Sequence, residues 1–483
     1  MVIALPDHPA GLPIGPGWRA DTGTAPVVFP YDGSTVAFAP VGSVGLARDA
    51  LEAGLAAVRP VAALSSAARR AILSDVRREL AEHAEQLVEL LIAESGKTRI
   101  DCSVEVSRTL FTWSAAAEEV AHLHGETVPL DLQESGAGLI GFWTRRPIGL
   151  VIGIAGFNYP LLLASHKVAP AIAAGCPVIC KPAPATPLST LWLAHLVRRA
   201  AERHGAPPEI VQVVTGGAEV GRALVTDPRI GAVSFTGSAD VGHQIAKDAA
   251  PRKTLLELGS NAALVVDADA DLAAAVDAVL RGGFYGNGQA CISVQRVLVC
   301  EPVLEEFVYR LSERIGELTV GDPRDPATRV APLINEGSTQ RVLAWIEAAE
   351  AAGAKVLHGG KLRGRAIEPT VLIDVPETAD AWCEEIFGPV VAIRAVPDLD
   401  SALAAVNRSR YGLHAAVFTR SLASAFRAIE ELEVGGVIVN EVPGFRSDVM
   451  PYGGVKDSGS GREGPRFAIE ELTVTRMAVI RPH

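Results

Sequence analysis

The stretch PIGLVIGIAGFNYPLLLAS, Pro147 to Ser165, decides the fold. It carries no charge over a length that would cross a membrane. Gly149, Gly153, Gly156, Asn158 and Pro160 interrupt it, however, and a spanning helix tolerates few such breaks. A strand over GLVIGI, a tight turn and a helix after Pro160 account for all of them. The alternation continues downstream. CPVIC reads as a strand, and a helix follows from about Pro187 to Arg203. IVQVV and GAVSF are strands with a short helix between them. This βαβα order predicts an α/β fold with a parallel sheet covered by helices on both faces.

A second alternation begins near NAALVV and runs to about residue 440. It includes QRVLVC, a helix over Val303 to Ile315, AAVFT and GGVIVN. Two alternations predict two doubly wound domains, which suits a chain of 483 residues. Upstream, residues 66 to 95 read as one long amphipathic helix with apolar positions at Ile72, Leu73, Val76, Leu80, Leu87 and Leu91. Glu126 to Thr144 reads as a protruding β-hairpin.

Composition narrows the function. The chain is 48% hydrophobic and 21% charged, with a formal net charge of -12. An acidic chain without a basic block is a poor nucleic-acid binder. The six cysteines have no framework spacing, which predicts reduced thiols in the cytoplasm. The start, MVIALPDHPAGLP, lacks a basic region, and Pro6 cuts its apolar run short, so a signal peptide is not expected.

Some motifs do not carry function. GAGLIG, Gly136 to Gly141, matches the dinucleotide fingerprint literally but has no strand before it, and Pro147 forbids a helix soon after. SGKT, Ser95 to Thr98, ends like a phosphate loop, but Leu91 stands in place of its first glycine. His122 and His124 have no third ligand nearby, so a surface pair is expected and no metal site.

FYGNGQACISVQRV, Phe284 to Val297, places Cys291 behind Gly286, Gly288 and Ala290. Small neighbours leave room to approach a sulfur. A thiol nucleophile needs a base and donors for an oxyanion. LLELGSN puts Glu257 at a strand end, and AGFNYP puts Asn158 in a strand-to-helix turn. VSFTGSADVG sets Gly237 and Gly242 at a helix start, where amides bind phosphate. Taken singly, each has a plain alternative: a core cysteine, a salt-bridge carboxylate, a turn former.

Together these stretches resemble the NAD(P)-dependent aldehyde dehydrogenase superfamily. FNYP, KPAPATP, FTGS, LELGS, GQACISVQR, EEIFGPV and PYGGVKDSGSGREG stand in the family's order over essentially the whole chain. The resemblance implies two Rossmann-like domains and a small β element for oligomerisation. The cofactor domain would comprise residues 1–124 and 147–256, and the catalytic domain 257–445. Residues 125–146 and 470–483 would form the oligomerisation element of a homodimer or homotetramer. It also implies roles. Cys291 would attack the aldehyde, Asn158 and the Cys291 N–H would hold the oxyanion, and Glu257 would activate the hydrolytic water. Lys181 would contact the adenosine ribose, with Thr236, Gly237, Ser238 and Gly242 near the pyrophosphate. Glu385 and Phe387 would hold the nicotinamide ribose and ring of NAD or NADP.

Two departures bear on specificity. Pro184 stands where many NAD-preferring members carry a ribose-binding glutamate, so NADP is expected to be accepted. Gly156 replaces a common proline before Asn158, which predicts a looser oxyanion turn. The chain resembles most the branch holding lactaldehyde, non-phosphorylating glyceraldehyde-3-phosphate and phosphonoacetaldehyde dehydrogenases. That resemblance implies substrate contacts from Arg108, Tyr159 and Arg446, and a small anionic or hydroxylated aldehyde. The branch's further arginine, before the nucleophile, is Ala290 here. The plain alternative puts Arg108 in a helix salt bridge with Glu105 or another acid, and Arg446 in an interface. A coenzyme A-acylating enzyme and a catalytically silent binding protein are the competing functions.

Overall fold

A computed structural model describes residues 8–482. Met1–Asp7, which carry part of the signal-peptide reading, lie outside the described residues, as does His483. After two antiparallel strand pairs, Leu12–Ile14 with Gly17–Arg19 and Gly23–Val28 with Thr35–Val41, the chain lays down four helices: α1 (Val44–Ala62), α2 (Ser66–Glu82), α3 (Ala84–Ser95) and α4 (Arg99–Glu119). The single helix expected over 66–95 is therefore two, broken at His83, whose φ of -110° and ψ of 18° are not helical. No glycine or proline marks the break. At the break the His83 ring meets Trp192 edge-on at 5.2 Å, and its Nδ1 lies 2.8 Å from Gln86 Oε1. SGKT is no phosphate loop, because Ser95 ends α3 and Gly96 is its left-handed cap at φ 71°.

The apolar stretch resolves as read. β1 (Val151–Ile154) leads through a turn into α5 (Pro160–Ala174), all of whose residues are buried. Proline suits the first position because its missing N–H would be unsatisfied there anyway. Among the described residues no helix is long and apolar enough to cross a membrane. The chain continues through β2 (Val178–Lys181), α6 (Leu188–Arg203), β3 (Val211–Val213), α7 (Ala218–Val225), β4 (Ala232–Thr236), α8 (Ala239–Ala249) and β5 (Lys253–Glu257). The strand order is β5-β4-β1-β2-β3, all parallel. The chain moves outward on one side of β1, then returns to its other side. The switch point therefore lies between β1 and β4, where open α/β sheets bind ligands.

The second sheet comprises β6 (Ala263–Val266), β7 (Arg296–Cys300), β8 (Lys355–His358), β9 (Thr370–Ile373), β10 (Val390–Val396), β11 (His414–Phe418) and β12 (Gly436–Val439). Its order is β8-β9-β10-β7-β6-β11-β12. The expected purely parallel sheets each carry one antiparallel edge. β8 pairs antiparallel with β9, and Gly459–Ser460 pairs antiparallel with β5. The chain beyond residue 445 thus comes back to the first sheet. A third sheet joins Glu126–Val128, Ile140–Pro147 and Thr473–Ile480, so the hairpin gains a strand from the far end of the chain. Gly136 of GAGLIG lies in a short 3-10 turn that feeds Ile140–Pro147, with no helix after it.

Candidate active site

The switch point opens on a cavity of about 370 Å³. Its wall includes Asn158, Tyr159, Thr236, Gly237, Ser238, Glu257, Cys291, Glu385, Phe387, Arg108 and Arg446. Most of the residues singled out from sequence therefore converge. Lys181, Pro184 and Gly242 are not in this wall. Gly242 is a packing residue: a Cβ there would stand 2.2 Å from the Leu258 side chain, so glycine lets α8 close on the strand end.

Cys291 follows a contorted turn. Gly286, Asn287 and Gly288 are all left-handed, at φ 57°, 60° and 72°. Asn287 holds the turn with its side chain: its amide donates to Gly96 O and Pro332 O, and its oxygen accepts from Ala331 N. A Cβ on Gly288 would stand 2.0 Å from Gly388 O. The glycines thus serve the backbone path and a close approach to the next loop. Only Ala290 of the small residues lines the cavity beside the sulfur. Asn158 Nδ2 donates to Gln289 O at 2.8 Å, tying the turn after β1 to the cysteine loop. The Cys291 sulfur lies 3.1 Å from the Tyr452 hydroxyl. Burial pushes the Cys291 thiol up to about 11, with Tyr452 and Arg446 opposing that rise.

Glu257 ends β5 and is 5% exposed. Its Oε2 has no hydrogen-bond partner among the described residues. Burial, then the neighbouring Glu463, holds this carboxyl well above the usual range. Glu463 lies at the opposite extreme: burial alone would raise it, but Lys167, His166 and Arg446 hold it well below. Lys167 Nζ donates to Glu463 at 2.5 Å and to Thr236 Oγ1 at 2.6 Å. His166 Nδ1 is 3.1 Å from Glu463, and Arg446 Nη2 donates to it at 3.1 Å.

Asp448 organises the arginines. Arg108 grips it with two bonds of 2.8 and 3.2 Å, and Arg446 Nε lies 3.3 Å away, out of line for a hydrogen bond. The plain alternatives thus hold only in part: Arg108 does pair with an acid, but with the distant Asp448 and not with a neighbour in its helix. Glu105 pairs with Lys97, not Arg108, and Arg446 is 6% exposed inside the chain. Three cations, Arg108, Arg446 and Lys167, face two carboxylates, Asp448 and Glu463. With Glu257 protonated, as its raised carboxyl implies, one positive charge is left over in this cluster.

On the opposite wall, Glu385 Oε1 accepts from Ser260 N at 2.9 Å. Burial raises Glu385 to about 7, against the Ser260 N–H and Arg341. A Cβ on Gly259 would stand 2.6 Å from Glu385, so that contact needs glycine. Phe387 is itself left-handed at φ 48° and meets Phe157 edge-on at 5.8 Å. A non-glycine residue in that region stores strain, a common mark of ligand sites.

The aldehyde dehydrogenase family model matches residues 18–478. The chain belongs to the aldehyde dehydrogenase family. A 3-sulfolactaldehyde dehydrogenase of Priestia aryabhattai is 41% identical over 402 residues, 83% of each chain. Aldehyde dehydrogenase 21 of Physcomitrella patens, solved with its reaction product succinate, superposes with a TM-score of 0.92 at 38% identity over 96% of each chain. Glyceraldehyde-3-phosphate dehydrogenase GapN of Methanocaldococcus jannaschii, solved with NADP, gives 0.92 at 34% identity, covering 96% of this chain and 100% of that one. This aldehyde dehydrogenase is an NAD(P)-dependent oxidoreductase that converts an aldehyde to an acid.

The residues present fit that cofactor. Lys181 ends β2, is 7% exposed and makes no ion pair among the described residues, so a buried ammonium awaits an acceptor. Ser238 precedes α8 without capping it, leaving the first amides of that helix free. Pro184 is exposed in the turn after β2 and offers no carboxylate, but Glu219, at the start of α7, acts on Lys181. Sequence reasoning missed Glu219, Lys167, Asp448, Tyr452 and Glu463. For Lys167 a signal existed: a charge inside a wholly apolar helix must be met from elsewhere in the fold.

Proposed function

We propose that this aldehyde dehydrogenase oxidises a small anionic or hydroxylated aldehyde through a covalent bond to Cys291. The observation that carries it is the convergence of Cys291, Asn158 and Glu257 with the Arg108–Asp448–Arg446 cluster around one cavity. The Cys291 sulfur attacks the aldehyde carbon, and the new oxyanion accepts from Asn158 Nδ2 and the Cys291 N–H. NAD(P), which Glu385 and Phe387 would hold at its nicotinamide end, would supply the hydride acceptor for the resulting carbon. Glu257, once ionised, takes a proton from the water that cleaves the thioester; a raised pKa suits a base working near neutral pH. Glu385 and Phe387 hold the nicotinamide end, and Lys181, Thr236, Gly237 and Ser238 the ribose and phosphates.

The surplus positive charge beside Arg108, which is 25% exposed, favours a carboxylate, sulfonate or phosphate on the substrate, with Tyr159 as a further donor. Relatives named for sulfolactaldehyde and glyceraldehyde-3-phosphate, and one holding succinate, support an anionic substrate. Lys181 without a carboxylate at Pro184 supports use of NADP, and Glu219 tempers it. The enzyme works in the cytoplasm as a homodimer or homotetramer. Exposed Ile140, Met477, Val479 and Ile480 on the third sheet, with the free edge of Thr473–Ile480, support such pairing.

The test is cofactor reduction with paired anionic and neutral aldehydes of equal length, with NAD and NADP, with and without coenzyme A. The expected result is acid formation without coenzyme A, NADP use within about 100-fold of NAD, and kcat/KM favouring the anionic partner. Arg108→Ala should erase that preference. Equal losses for both aldehydes would reject the anionic pocket, and a strict coenzyme A requirement would reject hydrolysis.

A further inference from the structure

Tyr452 has no part in the steps above, yet it touches the reacting atom. Its hydroxyl makes the one hydrogen bond found to the Cys291 sulfur among the described residues, at 3.1 Å. The ring has little freedom to leave. Tyr452 is 2% exposed, and its backbone exchanges hydrogen bonds of 3.1 and 2.6 Å with Glu463 in an antiparallel bridge. The Arg446 guanidinium covers one ring face at 3.6 Å from the centroid, and the His414 ring meets it edge-on at 5.1 Å. Ile292 and Leu413 close the apolar side.

This surrounding is otherwise hostile to a charged sulfur. Glu257 and Glu385 both disfavour a thiolate, and burial does so more strongly. A phenol has a single proton. Opposite a thiol, either partner can donate; opposite a thiolate, only the phenol can. A cation over the ring face draws electron density from the oxygen and strengthens the donor.

We propose that Tyr452 is a further catalytic residue, whose hydroxyl donates a hydrogen bond to the Cys291 sulfur whenever that sulfur carries negative charge. The charge arises twice in each turnover. First the thiol releases its proton to water, and the sulfur pair then forms the S–C bond while the carbonyl π pair moves to oxygen. Later, after water has added to the thioester carbon, the C–S bond breaks and its pair returns to sulfur. Tyr452 keeps its own proton throughout, since burial and the adjacent cysteine hold the phenol well above its usual range. The proposal rests on Cys291 being the nucleophile.

Tyr452→Phe removes one oxygen and keeps the ring. The measurement is Cys291 alkylation by iodoacetamide against pH, followed by mass spectrometry of the Cys291 peptide. The expected result is an apparent thiol pKa about one unit higher, hence alkylation about tenfold slower below it. The first-turnover burst of reduced cofactor should slow by a similar factor and recover at higher pH, with cofactor Kd unchanged. An unaltered alkylation profile overturns the proposal. Should Tyr452→Phe fail to fold, 3-fluorotyrosine at position 452 keeps ring and hydroxyl and is a stronger donor. The apparent thiol pKa should then fall, and no shift overturns the proposal equally. Wild-type enzyme that still turns over with Cys291 alkylated would refute the nucleophile itself, an outcome separate from either variant.

Discussion

Glu105, beneath the start of α5, and Glu257, at the end of β5, are both buried glutamates, but only Glu257 is in the cavity wall. Glu105 is completed. One oxygen faces Lys97, and the other accepts from Leu161 N and Leu162 N at 3.0 and 3.1 Å. It caps the helix that follows Asn158 and Tyr159, and the paired Lys97 lies 3.7 Å over the Tyr159 ring. Glu257 is left incomplete, with one oxygen unpartnered in a buried place. Glu94 stands between them. It accepts from Leu188 N and Ser189 N at the start of α6 at 2.8 and 3.2 Å, but no cation meets it. Where a carboxylate anchors a helix, its oxygens are filled. Where it must meet something not yet present, an oxygen stays open.

Replacing the open carboxylate should cost the most activity. In Glu257→Gln, steady turnover should fall about 10²–10⁴-fold, while a burst of reduced cofactor persists, because acylation comes before water activation. Thermal stability should hold, since the amide keeps the shape of the protonated carboxyl and removes only the cost of ionising it in a buried place. Rapid-mixing absorbance and a melting curve check both. Loss of the burst together with turnover would place Glu257 in the first step and break the contrast.

The completed carboxylate should show the reverse. Glu105→Ala leaves Lys97 buried and unpaired, at a cost of about 3–5 kcal/mol in unfolding free energy. Urea titration reads it, and Lys97→Met with Glu105→Leu should regain most of the loss. Glu105→Ala with unchanged stability would mean that the pair anchors nothing.

How much of this was legible depends on where each partner lies in the chain. Both sheets were readable because VIGI, VICK and ALVV are short apolar runs bounded by turn signals. The positions of Asn158, Glu257 and Cys291 at strand ends and turns were readable locally, but only the resemblance of the whole motif set linked them; the structure places all three in one cavity wall. The break at His83 was not, since no glycine or proline marks it and the ring His83 meets there, Trp192, comes from another helix. Gly459–Ser460 is two residues long and carries no alternation. Tyr452 and Glu463 lie in a loop whose local pattern says nothing of a sulfur 161 residues away or a lysine 296 residues away.

The smallest expected effect sharpens the middle case. Burial raises Glu94 from 4.5 to about 7, although the Ser189 and Leu188 donors oppose it. The folded chain then holds this proton more tightly than the unfolded one. Its contribution to stability is present below pH 4.5 and is lost as pH rises through about 7. Glu94→Gln should flatten that slope and gain about 1–2 kcal/mol at pH 8. Parallel curves for variant and wild type would show that Glu94 does not titrate in this range.

The pairing of Gly459–Ser460 with β5, and of Glu463 with Lys167, also sets an order of events during synthesis. A nascent chain that has emerged only through β5 contains the whole parallel part of the first sheet. It lacks that sheet's last edge, and Lys167 has no counter-charge inside α5. Closing the sheet requires a loop of about 200 residues, and such non-local contacts form slowly. The first-made half must therefore wait, partly open, for the last-made segment. Until then the outer edge of β5 is an unpaired strand edge, the kind of surface on which incomplete chains associate.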